Sequence, residues 1–326
     1  LRLRHDADFA AIRDVMTILH AATSRVRDTA TTLAIAAVGG FSLATLGAPA
    51  AWLSGAMLAV SAYALAGGRA TMPVMLREVS FIALGITMGS GLTPEALAGI
   101  GRWPLSVALL FATLPLVVGL IAIFLVRTAG WPVRDALLGA MPGALSTVLA
   151  VAAAEGADVR RVATIQTFRL FAIVAFVPFA ISGSSDNPVS RPNQVDADLL
   201  LVVGMVAASL AAGSLLRLIN WPAPLLFAGF AVSGTLHASG LVASQLPFYI
   251  SVPALVAIGA NIGSRFAGTD WPTFKGLFVA GVGAVAIAVA VAAATASLCA
   301  MLVDLPIAQV FLAFAPGGVE AMIVLA

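Results

Sequence analysis

Residues Val107–Val126 read VALLFATLPLVVGLIAIFLV, and Gly281–Leu298 read GVGAVAIAVAVAAATASL, neither holding a single charge. At 1.5 Å of rise per residue each run reaches about 27–30 Å, the thickness of bilayer hydrocarbon. Neither run alternates with the two-residue rhythm of a barrel strand. In lipid every backbone N–H and C=O must be satisfied within the protein, which leaves the helix. Working outward, the whole chain repeats this character. Of its 326 residues, 61% are hydrophobic and 10% charged, too little charge to cover a soluble surface. The expected fold class is therefore all-α, a polytopic membrane protein without a soluble domain.

The remaining composition removes several functions. Sixteen of the 17 basic residues are Arg and sit between apolar blocks, so no basic nucleic-acid surface forms. Cys299 lies alone inside an apolar block, and His5, His20 and His237 are scattered. Neither a disulfide framework nor metal-ligand spacing exists, and no metal or cofactor is expected. No catalytic constellation appears, so an enzyme is not expected.

Comparing the chain with itself reveals a duplication. Sliding residues 31–152 onto 205–326, an offset of 174 without a gap, aligns Gly39/Gly213, Gly55/Gly229, Gly85/Gly259, Gly89/Gly263 and Gly143/Gly317. It also aligns Pro73/Pro247, Pro132/Pro306 and Pro142/Pro316. Chance gives about 1.5 glycine and 0.4 proline matches, so the repeat is real. The expected organisation is an N-terminal amphipathic or cytoplasmic helix at 1–29, a membrane repeat at 30–182, a polar linker at 183–198, and a second repeat at 199–326 that lacks its sixth segment. Phe9, Ile12, Met16 and Leu19 fall on one face of the first helix, which either lies on the membrane surface or touches the protein's own loops. Asp6, Asp8, Arg13 and Asp14 exclude a secretory signal there.

Charge sorts the loops. If the segment 132–154 dips in and returns at Pro142-Gly143, only Arg102 and Arg191 fall outside, and the other basic residues face the cytoplasm. Each half then crosses five times, and the repeats are inverted, a plan shared by many secondary transporters. The expected location is a bacterial inner membrane, multi-pass, with a cytoplasmic N-terminus.

Pro-Gly inside an apolar segment breaks a helix, because proline lacks the N–H and glycine adds freedom beside it. Backbone freed at membrane depth is tolerated only where protein or a water-filled cavity satisfies it. The candidate solute- or ion-binding residues are therefore Pro142, Gly143, Ser146 and Thr147 at the first break, and Pro316, Gly317 and Glu320 at the second. Ser146 and Thr147 serve either function or their own helix carbonyls. Glu320 is an acid in an apolar stretch, the usual mark of an ion or proton route. Asn261 either lines a cavity or pairs with a neighbouring helix. Arg169, one turn from Gln166, pairs with Glu155 or Asp158, binds an anion, or snorkels to the interface. Asp158 also reads as an N-cap. Gly85, Gly89, Gly259 and Gly263 have the spacing that lets helices pack closely. The expected partners are the lipid bilayer, a small solute and a coupling ion, H+ or Na+, with a homodimer left open and no nucleic acid.

Pro142-Gly143-Ala-Leu-Ser146, running through Glu155-Gly156-Ala157-Asp158 to Gln166-x-x-Arg169, resembles the AbrB-type bacterial integral membrane proteins. Pro49-Ala-Ala-Trp52-Leu53-x-Gly55 and Pro316-Gly317-Gly318-Val-Glu320-Ala-Met322 are similar to further signatures of that family. The likeness covers roughly residues 30–326; it departs at Ala144, where the family tends to carry a second Gly. The resemblance imports three labels: AbrB family transcriptional regulator, regulator of the aidB gene, and ammonia monooxygenase-like. Direct DNA binding fits poorly with a chain that has no basic reading element. Three dispersed His and one Cys cannot build a redox-metal centre. In architecture the family resembles cation/proton antiporters and anion transporters. The resemblance thus implies a permease moving a small solute, with anions among the candidates, or a membrane-embedded regulator acting indirectly on gene expression.

Overall fold

The computed structural model describes residues 2–94, 97, 103–143, 145–182, 196–269, 271–303 and 307–314, and its regular elements are all helical. The first helix, α1, runs Arg2–Thr45. The boundary expected at residues 29–30 is absent. No Gly or Pro occurs before Gly39, so nothing in the stretch ends a helix, and surface segment and first span fuse. Then come α2 (Ala51–Leu65), α3 (Val74–Gly89) and α4 (Trp103–Ala129). The segment expected as one dipping element is two helices, α5 (Val133–Ala140) and α6 (Leu145–Ala154), parted at Met141-Pro142-Gly143. After α7 (Val159–Ser182) follow α8 (Leu199–Leu218), α9 (Pro224–Ala238), α10 (Phe248–Ser264), α11 (Trp271–Val303) and α12 (Ile307–Phe314).

Among the described residues three helices are long and apolar enough to cross a bilayer: Pro104–Ala129, Leu199–Leu218 and Phe278–Val303. Their outer faces are apolar, with Phe111 and Ile123 on α4, Leu200 and Leu215 on α8, and Val279 and Met301 on α11 all exposed. Water would drive such faces together; lipid accepts them at no cost. The chain is a membrane-associated helical protein.

The helices pack as two bodies. In the first the order is α1–α2–α10–α3–α9–α8, each touching the next. In the second, α4 and α11 pack together, α5 lies on α4, and α12 on α11. Helix α7 covers α5, α6 and α11, and its other face reaches the first body, where Ser54 donates to the Val174 carbonyl at 2.9 Å.

The spacing of helices explains this layout. Helices α3 and α10 both begin after a proline, Pro73 and Pro247, 174 residues apart, and α5 and α12 occupy 133–140 and 307–314, the same interval. Helices α2 and α9, at 51–65 and 224–238, lie 173 apart. The left-handed residues around them keep the same 173, as Gly47/Asn220, Ala50/Ala223 and Gly67/Gly240. Packing follows this shift. A Cβ on Gly259 would meet the Leu53 carbonyl at 2.5 Å, then Ala56 and Met57, and one on Gly85 would collide with the Leu226 carbonyl, Gly229 and Phe230. One extra residue therefore sits between Gly240 and Pro247. The gapless pairing is corrected accordingly: Gly213, against Leu225, corresponds to Gly40, against Trp52, and Gly229 corresponds to Ala56.

Candidate functional site

The break at Met141-Pro142-Gly143 frees carbonyls at the end of α5, because a helix leaves its last C=O groups without intrahelical donors. Two buried side chains of α7 collect them. Gln166 Nε2 donates to the Leu138 carbonyl at 3.0 Å and the Met141 carbonyl at 2.7 Å. Arg169 Nη1 donates to the Ala140 carbonyl at 2.8 Å, and Nη2 to Gln166 Oε1 at 2.8 Å. A fixed positive charge at a helix C-terminus also opposes the negative end of its dipole. Arg169 is 6% exposed, so the interfacial position is excluded. Nor does it pair with Glu155 or Asp158, which lie at the far end of α6 and take other partners.

Asp158 caps α7, its Oδ1 accepting from the backbone N–H of Arg160 at 3.0 Å and of Arg161 at 3.1 Å. Glu155 offers only its carbonyl, to Arg134. The ionic tie at this corner belongs to Asp135, which the sequence reading missed. Asp135 is buried, accepts from the Asp158 N–H at 3.2 Å, and sits 3.6 Å from Arg161. Arg161 in turn reaches Asp158 at 3.2 Å and stacks over Trp131. The detectable signal was the acid in Pro132-Val-Arg-Asp135, placed in a first helical turn where negative charge is favoured.

Beyond the break, α6 begins at Leu145 beside a cavity of about 500 Å³ between the two bodies. Helix α6 supplies Leu145 and Leu149. On the opposite wall α3 supplies Arg77, Glu78 and Phe81, and α10 with the residue that follows it supplies Asn261, Ser264 and Arg265. The start of α9, at Ala223–Leu225, closes a third side, and its N-cap has no side-chain cap. Glu78 is neutralised by Arg217 at 2.8 Å, and Ser264 donates to the Asn261 carbonyl at 2.9 Å. Among the described residues Asn261 Nδ2 and Arg77 Nε are buried with no partner. Each such donor costs about 1–3 kcal/mol when left unpaired. Asn261 was expected either to line a cavity or to pair with a neighbouring helix; Arg77 was read only as a loop charge.

The other expected residues divide. Pro142 and Gly143 form the break, Gly143 exposed. Thr147 is exposed on α6, and the side chain of Ser146 lies outside the described set. Pro316, Gly317 and Glu320 also lie outside the described residues. Gly85, Gly89, Gly259 and Gly263 pack helices: to the contacts of Gly85 and Gly259 above are added Gly89 against Ser233 and Gly234, and Gly263 against Met57 and Val60. Among the described residues no group of three or more His, Cys, Asp or Glu could hold a metal.

Comparison with known proteins agrees with the resemblance drawn from the motifs. A protein of Escherichia coli (strain K12) named "Putative regulator AbrB" is 27% identical over 226 residues, covering 67% of this chain and 64% of its own length. The uncharacterized protein YhjN of Bacillus subtilis (strain 168) is 25% identical over 323 residues, covering 89% of this chain and 82% of its own. The chain thus spans just under two thirds of the first relative. No solved structure matches it. The family model described as transition state regulatory protein AbrB matches residues 52–326, and the chain belongs to the AbrB family.

Proposed function

We propose that this protein is a secondary transporter of the bacterial inner membrane, multi-pass with a cytoplasmic N-terminus, moving a small anionic solute by alternating access. The observation that carries this is the break in the α5–α6 segment, held from one side by Arg169 and Gln166 and followed by a helix whose start lines a cavity between two helical bodies. Broken helices at membrane depth are where transporters place their solutes, since free backbone and helix ends recognise charge without an exposed side chain. Two bodies joined mainly through α7 supply parts that move relative to one another, as alternating access needs. The matched intervals of helices and glycines support two repeats, and their charge distribution supports an inverted arrangement. Coupling to H+ or Na+ rests on the sequence alone, at Glu320. No enzymatic step is proposed.

The test is uptake of radiolabelled butyrate and succinate into proteoliposomes carrying a proton or sodium gradient. Uptake above empty vesicles, lost in the double variant Pro142→Ala with Gly143→Ala, supports the reading. Uptake of neither solute above the empty-vesicle rate removes it for these substrates, and unaltered uptake in the folded double variant removes the break from the mechanism.

A second reading follows from the printed family description and the E. coli relative's name, both of which speak of regulation. In it the protein regulates gene expression indirectly from the membrane, by changing the level of a metabolite or by sensing one. A deletion strain whose expression phenotype is restored by a transport-dead break variant would favour sensing.

A further inference from the structure

We infer that the cavity between α3, α10 and α6 binds a small monocarboxylate with an apolar body, its charge met by Arg77 and its oxygens by Arg77 and Asn261. The inference deepens the transport reading, on which its place in a permeation route rests, but the binding itself is measurable without transport.

Donor supply is the first argument. Arg77 and Asn261 both line this cavity, Arg77 Nε and Asn261 Nδ2 are buried with no acceptor among the described residues, and Asn261 is 8% exposed. Both are N–H donors, so the missing group is an acceptor. A guanidinium presents its N–H groups in a fork matched to a carboxylate, and an amide N–H can reach a carboxylate oxygen.

Charge is the second. Glu78, the acid of the described lining, already has Arg217 at 2.8 Å, so the wall that carries Arg77 and Arg265 favours an anion. The uncapped start of α9 adds a partial positive end to the same wall. Third, the apolar share of the lining is large, with Phe81, Leu145 and Leu149 beside Ala223, Pro224 and Leu225. About 500 Å³ is the size of a small-molecule site, and such walls favour a hydrocarbon body over a second polar head.

The experiment measures thermal unfolding of the detergent-purified full chain against increasing sodium butyrate, with sodium succinate, sodium phosphate and butylammonium chloride as comparisons. A ligand that binds only the folded state raises the melting temperature in a saturable way. Butyrate is expected to do so, with succinate and phosphate at least tenfold weaker and butylammonium inactive. Arg77→Gln and Asn261→Leu are each expected to weaken butyrate at least tenfold, and Arg77→Lys to recover part of the loss. Each variant's melting temperature without ligand shows that it folds. Thr87→Val, on the other side of the α3–α10 pair, is expected to bind as the parent does. The inference is overturned by the absence of a butyrate effect, by an equal effect of butylammonium, by tighter succinate or phosphate, or by unchanged affinity in both folded variants. Butyrate binding without uptake into proteoliposomes removes transport and leaves the site. Butyrate uptake that Arg77→Gln does not alter removes the site and leaves transport.

Discussion

Two cavities flank the α3–α10 pair, and they differ in chemistry far more than in scaffold. The one beside α6 presents Arg77 and Asn261; in the second, of about 590 Å³, the residues 174 positions away are Ser251 and Thr87. Thr87 donates to the Ala83 carbonyl at 2.9 Å and Ser251 to the Phe248 carbonyl at 3.4 Å, so both hydroxyls are satisfied by their own helices. Even Ser90 and Ser264 keep the same bond in both, to the carbonyl three residues back. The small residues that set helix spacing stayed paired while the charged residues diverged. Among the described residues, one cavity carries two buried donors without an acceptor, while the matched hydroxyls of the other are satisfied.

The shared scaffold gives the largest expected effect. Gly85→Leu and Gly259→Leu each force a side chain into the backbone of the facing helix, at Leu226 and Leu53 respectively. Overpacking of this kind costs about 1–3 kcal/mol even for added methylenes, and a whole side chain against backbone sits at or above the top of that range. Both variants are expected to lose most folded protein in detergent, measured by thermal melting and size-exclusion profile. A large loss in only one would mean that the halves do not use their glycines equivalently.

Next comes the support of the break. Arg169→Met leaves the Ala140 carbonyl without its donor and removes the charge from the end of α5. The expected cost is about 2–4 kcal/mol, one or two buried acceptors at 1–3 kcal/mol each. Gln166→Ala loses two carbonyl contacts without a charge and is expected to cost about 1–3 kcal/mol. The check is chemical unfolding of both variants beside hydrogen exchange at residues 138–141. Equal exchange in the variants and the parent would show that α7 does not hold the break.

These two sets of residues also separate what was legible in the sequence from what was not. The apolar runs announced the helices, and Pro142-Gly143 announced the parting of α5 from α6, because periodic hydrophobicity and helix breakers act locally. The matched spacing of helices in the two halves was legible through glycine and proline, but its register was not. Gly39 and Gly55 matched Gly213 and Gly229 by residue type, whereas packing treats Ala56 as the counterpart of Gly229, since alanine is small enough for the same approach. Arg169 was weighed against Glu155 and Asp158, acids near in sequence. Its partners are carbonyls 28 and 29 residues back, and a carbonyl leaves no trace in a residue's name. Asp135 and Arg77 escaped for the same reason: their roles are set by helices distant in sequence.

The smallest effect is the most discriminating, because its sign differs between the two cavities. With no ligand bound, Asn261→Leu replaces a buried amide whose Nδ2 has no partner by an apolar group of similar volume. Removing an unsatisfied donor returns its desolvation cost, so the variant is expected to be more stable than the parent by about 1 kcal/mol. Thr87→Val at the matched position of the second cavity removes a hydroxyl already bonded to its own helix. That change is expected to be neutral or destabilising by up to about 1 kcal/mol. Thermal melting of both variants, without added anion, gives the comparison directly. A residue kept at a cost to the empty protein is kept for the occupied one. If Asn261→Leu instead destabilises as Thr87→Val does, the amide is satisfied within the fold, and the asymmetry between the cavities reduces to the charge of Arg77.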